Sequence, residues 1–160
     1  MSGQRPEAAA ERDHAGRPSM PKGDSVNDTA TWPPMRRDAK SAEFFEAASR
    51  GELAIKKCTD CGRSLAPEAM VCTDCGGSVP AWTSASGAGT LITWTTVHKA
   101  PNPVFAPMVP YTVGVVELAE GPWLYARITG EPRAGAALRA EFVHPAEGES
   151  YPTWVVTSGQ

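Results

Sequence analysis

Apolar residues along the chain follow two rhythms. Between Ser41 and Gly51 they recur at helical spacing, with Phe44, Phe45 and Ala48 on one side. Ser41 stands where a cap belongs, Glu43 and Glu46 suit the positive N-terminal end, and Gly51 suits the C′ position. A helix of about ten residues is not stable alone, so it must pack on its own core or on a partner. Glu52–Lys57 then runs extended into a cysteine-bearing segment. From Val79 onward the rhythm is that of strands and turns. Thr90–Lys99, Tyr111–Leu118 and Trp123–Thr129 are rich in β-branched and aromatic residues. Ala137–His144 alternates, with Leu138, Ala140 and Phe142 on one side, and Trp154–Thr157 forms a last short strand. Gly87-Ala88-Gly89 and Glu120-Gly121-Pro122 mark turns. About five strands in some 75 residues predict a mainly β unit, a small sandwich or a barrel. Closure is favoured because it removes exposed edges.

Residues 1–38 read as a disordered tail. They carry five prolines and mixed charge, with little apolar surface to offset the entropy of ordering. Trp32, Pro33 and Pro34 are the one hint of an anchor there. The remainder divides into residues 39–80, helix and cysteine segment, and residues 81–160, the strand-rich unit. No run of about 18 apolar residues exists to form a membrane helix, and no apolar leader predicts secretion. A cytoplasmic protein is expected.

The strongest chemical signal is Cys58-Thr59-Asp60-Cys61-Gly62, repeated as Cys72-Thr73-Asp74-Cys75-Gly76. Two residues between ligands let both sulfurs of a knuckle reach one ion. Gly62 and Gly76 tolerate the positive φ that turns amides toward sulfur. Cys58, Cys61, Cys72 and Cys75 together supply a closed tetrahedral site, which predicts one structural zinc rather than a catalytic one. Lys56, Lys57 and Arg63 stand nearby to offset the charge of four thiolates. Two disulfides, a redox CxxC pair and an iron site remain the chemical alternatives.

Little else suggests catalysis. There is no dinucleotide fingerprint, P-loop, nucleophile elbow or HExxH motif. His144 precedes a proline and reads as a turn residue, while His98-Lys99 closes a strand. Ala100–Pro110 holds four prolines with Val104, Phe105, Met108 and Val109 between them. Such a loop is stiff enough to serve as a binding surface, or as a lid over its own barrel. Bases could stack on Trp94, Phe105 or Tyr125, as in single-strand nucleic-acid binders. Residues 41–160, however, carry eight basic against twelve acidic side chains, which disfavours tracking phosphates.

The order FFEAASRGEL, two CxxCG knuckles, WTSASGAGTL, TTVHKAP, VPYTVGVVEL and WLYARITG closely resembles a known family. This is the zinc-ribbon/OB-fold family catalogued as a domain of unknown function and described as acyl-CoA-associated. The resemblance spans about residues 41–157. It implies an N-terminal helix, a rubredoxin-like zinc ribbon and a five-stranded OB-fold barrel. It further implies a non-catalytic accessory subunit in a hetero-oligomer with a thiolase-superfamily partner, which would carry the catalytic cysteine or base. On this resemblance the four cysteines match the family's zinc ligands. Phe44, Phe45, His98, Lys99, Phe105, Tyr125 and Arg127 are the candidate contacts to a partner or to acyl-CoA, the CoA ester being contacted rather than held as a cofactor. One departure is Leu65-Ala66-Pro67-Glu68, where the family often has aromatic-Pro-Pro-Arg, so the ribbon lacks that basic residue.

Overall fold

The structure is a computed structural model that describes residues 32–157 apart from Val79. Most of the expected tail, residues 1–31, therefore lies outside the described residues.

Helix α1 spans Ala42–Ser49. It ends in a Schellman turn: Gly51 has φ +75°, its amide donates to Ala48 O, and the Glu52 amide donates to Ala47 O. Its start differs from the expectation. Ser41 holds the N-cap position but makes no side-chain cap bond to the helix. Instead the Ser41 hydroxyl binds Asp38 Oδ1 at 2.6 Å, and the same oxygen accepts from the Lys40 and Ser41 amides. Asp38 is the better acceptor because it carries full negative charge at the positive helix end.

Strands β1 (Leu53–Cys58), β2 (Ser64–Leu65) and β3 (Pro80–Ala85) form an antiparallel sheet in the order β2-β1-β3. Five more strands follow: β4 (Ala88–Val97), β5 (Tyr111–Leu118), β6 (Trp123–Thr129), β7 (Ala137–Val143) and β8 (Tyr151–Val156). They close into a barrel in the order β4-β5-β6-β8-β7, the Greek-key circuit of an OB fold. A 3₁₀ helix, Pro103–Met108, occupies the proline-rich loop, with Asn102 accepting from the Val104 amide.

β8 starts three residues earlier than the sequence pattern indicated and so takes in Pro152. The register explains why it is tolerated. On one side Pro152 stands opposite Phe142 of β7. On the other, β6 pairs with β8 only at Ile128–Trp154 and Thr129–Val155. Pro152 thus lies where β8 has a single neighbour, and its missing N–H breaks no ladder.

That short seam shapes the molecule. Helix α1 lies beside it, and Phe44 packs against the barrel core of Leu91, Val116, Leu124, Ile128, Leu138 and Trp154. Leu53 and Ile55 of β1 belong to the same core. Residues 32–38 run alongside. Trp32 meets Tyr111 and Phe105 edge-on at 5.0 and 5.9 Å, and Arg127 lies 5.1 Å from its ring centroid. Met35 O accepts from the Glu149 amide, and Arg37 binds Glu149 with both Nε and Nη2 and also reaches Glu46 of α1. The chain passes so close to Gly148 that a Cβ there would come within 2.9 Å of Pro34 and Met35 backbone atoms.

Candidate functional site

The repeated pentapeptide produces a repeated hydrogen-bond pattern. In each knuckle the glycine amide returns to the first cysteine's carbonyl (Gly62 to Cys58, Gly76 to Cys72, both 3.0 Å). The first cysteine's amide donates five residues on (Cys58 to Arg63 O, Cys72 to Gly77 O). Gly62 and Gly76 have φ of +77° and +76°, as their spacing required. The two turns bring all four sulfurs within 4.8 Å of one another. Cys58 and Cys75 sulfurs are 3.5 Å apart, Cys61 and Cys72 3.6 Å. A tetrahedron with Zn–S of about 2.3 Å needs S···S of about 3.8 Å, so the donors fit zinc. Cys58 and Cys72 are buried, and Cys61 and Cys75 face outward.

The electrostatics agree. Amides of Cys75 and Asp74 favour the Cys72 thiolate and bring its thiol down to about 7. Cys75 moves oppositely: the Gly77 amide favours its thiolate, but the Cys61 and Cys58 sulfurs push it up to about 12. Four thiolates held this close together call for a cation. Arg63 makes an ion pair with Asp74 and so ties the first knuckle to the second. Gly77 occupies the equivalent place in the other knuckle. A Cβ there would press on the Asp60 carboxylate and come within 3.2 Å of Cys58 Sγ, so glycine is the residue that fits.

Lys56 behaves differently from the expectation of a counter-charge to sulfur. Its Nζ donates to Ala69 O at 2.8 Å and stands 4.9 Å from the Trp82 ring centroid. There it lines a cleft of about 670 Å³ between α1, the ribbon and the barrel seam. The cleft gathers four of the candidate contact residues, Phe44, Phe45, Tyr125 and Arg127. Phe105 lies just beyond, against Trp32. His98 and Lys99 are exposed at the end of β4 and do not line it.

Tyr125 is 91% exposed and Trp123 56%, two positions apart on β6 and therefore on one face. Met70 and Val71 at the ribbon tip are also exposed, at 58% and 53%. Sequence reasoning missed Lys56, Trp82 and Met70 as cleft residues. The signal for Lys56 was available: it interrupts the apolar run Leu53–Ile55 on a strand that is buried throughout that stretch. No helix among the described residues is long and apolar enough to cross a membrane.

Residues 45–80 match the family described as the ChsH2 rubredoxin-like zinc ribbon domain, and residues 82–143 the ChsH2 C-terminal OB-fold domain. A curated relative from Thermomonospora curvata, "Probable enoyl-CoA hydratase alpha subunit", is 34% identical over 98 residues. That match covers 61% of this chain but 30% of the relative, so the chain spans less than a third of that protein's length. The solved "Ltp2-ChsH2(DUF35) aldolase" matches with a TM-score of 0.63 and 27% identity, over 78% of this chain and 98% of that one. A DUF35-family protein of unknown function from Sulfolobus solfataricus shares the fold (TM-score 0.52, 16% identity, 74% and 86% covered). With both of its modules matched in order and a solved relative covered almost end to end, the chain belongs to the ChsH2-type DUF35 family of zinc-ribbon/OB-fold proteins.

Proposed function

We propose that this chain is a non-catalytic accessory subunit of an enzyme complex acting on acyl-CoA or related acyl substrates. Its partner is a thiolase-superfamily protein that supplies the catalytic cysteine or base for acyl transfer, thiolysis or retro-aldol cleavage. The observation that carries the reading is the exposed apolar surface around the cleft. Trp123, Tyr125, Met70 and Val71 all present large side chains to solvent. Large apolar side chains exposed on both the barrel and the ribbon mark an interaction surface, and aromatic anchors carry most of the energy at such surfaces. The relative solved as an Ltp2-ChsH2(DUF35) aldolase supports an enzyme partner.

One zinc ion, held by Cys58, Cys61, Cys72 and Cys75, keeps the ribbon in place beside that surface. Four cysteines kept as thiolates suit a reducing compartment, the cytoplasm. Lys99, Arg127, Arg133 and Arg139 are the side chains we assign as candidates for a CoA phosphate.

The test is capture of the tagged chain from its own cell extract, with mass spectrometry of what accompanies it. A stoichiometric thiolase-superfamily protein, lost on Trp123→Ala/Tyr125→Ala with zinc content and melting temperature unchanged, is the expected result. Recovery of the chain alone, or with nuclease-sensitive nucleic acid, overturns the reading.

A further inference from the structure

We propose that the cleft between α1, the ribbon and the barrel seam is a binding site for a small apolar carboxylate, with Lys56 holding its head. This goes beyond the subunit reading and does not depend on it.

Lys56 sits in the middle strand of the ribbon sheet, between Leu65 of β2 and Trp82 of β3. It is 9% exposed, a rare setting for an ammonium group. An ammonium offers three donors. The Ala69 carbonyl takes one, and the Trp82 ring face satisfies a second. No carboxylate among the described residues forms an ion pair with it. A buried cation of this kind gains from an anionic partner, because desolvation is already part of the folded state.

The surroundings specify the rest of the ligand. At about 670 Å³ the cleft falls within the size range of small-molecule sites, about 300–1,000 Å³. Phe44, Phe45, Trp82 and Leu124 give it apolar walls. Of the two carboxylates in its lining, Asp38 is already bound by Lys40 and Ser41, and Glu68 is exposed to solvent. Trp32 Nε1, also in the lining, is shielded from solvent and has no acceptor among the described residues. Lys40 also lines the cleft but is exposed, and Arg127 lies against the Trp32 ring, so Lys56 is the buried cation there; with apolar walls and the indole donor it matches a hydrocarbon body with an anionic head.

The test is calorimetric titration of the full-length, zinc-loaded chain with decanoate, and with decanol as a neutral control. Decanoate should bind one per chain and more tightly than decanol. Lys56→Met keeps the stem and removes the charge. It should weaken decanoate by about tenfold or more, the scale of a charge-assisted hydrogen bond, and leave decanol unchanged. Lys57→Met, on the neighbouring exposed position, should change neither. Should Lys56→Met fail to fold, the wild-type complex still decides: the ¹³C-labelled carboxyl carbon of decanoate should show magnetisation transfer from the Lys56 ε-protons. Absence of saturable decanoate binding, equal affinity for decanol, an unweakened folded Lys56→Met variant, or a carboxyl signal remote from Lys56 each overturns the proposal.

Discussion

Replacing Gly114 by alanine probes how tightly the barrel is closed. Gly114 lies mid-way along β5, opposite Trp94 of β4 and Ala126 of β6. A Cβ there would stand 2.7 Å from the Thr93 carbonyl oxygen, 2.9 Å from Leu91 Cδ1 and 3.2 Å from Ile128 Cγ1. Two effects compete. Gly114 does not use the left-handed region, so alanine can adopt its backbone, and the stiffer unfolded chain favours folding by about 0.4–1 kcal/mol. Overpacking a filled core costs about 1–3 kcal/mol. The contacts decide between them. Leu91 can swing its terminal methyl, but the Thr93 carbonyl belongs to the backbone of β4 and yields only if β4 parts from β5. Overpacking therefore wins, with a net loss of about 1–2 kcal/mol. In urea, with a slope of about 1–3 kcal/mol per molar, the midpoint should fall by about 0.5–1 M at unchanged slope. A midpoint equal to or above that of the wild type would refute the reasoning.

Trp32→Ala should cost about 2 kcal/mol, since two edge-on aromatic pairs and one cation–π contact are lost together. Hydrogen exchange at the Glu149 amide, which donates to Met35 O, should quicken with it. The Glu149 carboxyl is held below the usual carboxylate range by Arg37 hydrogen bonds. Its stabilisation is fully present above the unfolded value of about 4.3 and is lost as pH falls through the lower folded value. Melting temperatures from about pH 7 to about pH 3 should show that slope, and Glu149→Gln should flatten it. Cys72→Ser should bring bound metal, read by native mass spectrometry, well below one equivalent, because three sulfurs leave the tetrahedron open.

What the sequence revealed was what repeats locally. The two CTDCG turns, the Gly51 helix stop, and strands β5 and β6 at their observed bounds all rest on neighbours within a few residues. What it hid depends on segments far apart in the chain. The short β6–β8 seam arises from pairings about 26 residues apart, which no local pattern around Pro152 encodes. The Ser41 hydroxyl is drawn to Asp38 rather than to a helix amide because the chain turns just before α1, which no spacing rule encodes. The cleft gathers residues from 32 to 154, so Phe44 and Tyr125 could be named as candidates without any sign that they share a wall. His98 and Lys99, chosen for their strand-end motif, fall outside that wall.

β1 serves two masters. Leu53 and Ile55 are core residues of the barrel, and Cys58, on the same strand, is one of the four clustered sulfurs. Whatever fixes the sulfur end fixes the core end, because a paired strand does not bend independently over three residues. An ion bound at the cysteines is therefore a thermodynamic ligand of the barrel as well as of the ribbon. By mass action, each tenfold rise in free metal above its dissociation constant adds about 1.4 kcal/mol to the folded state. Free metal then sets the folded population that carries the apolar surface of β6, although no residue of β6 belongs to the cysteine cluster.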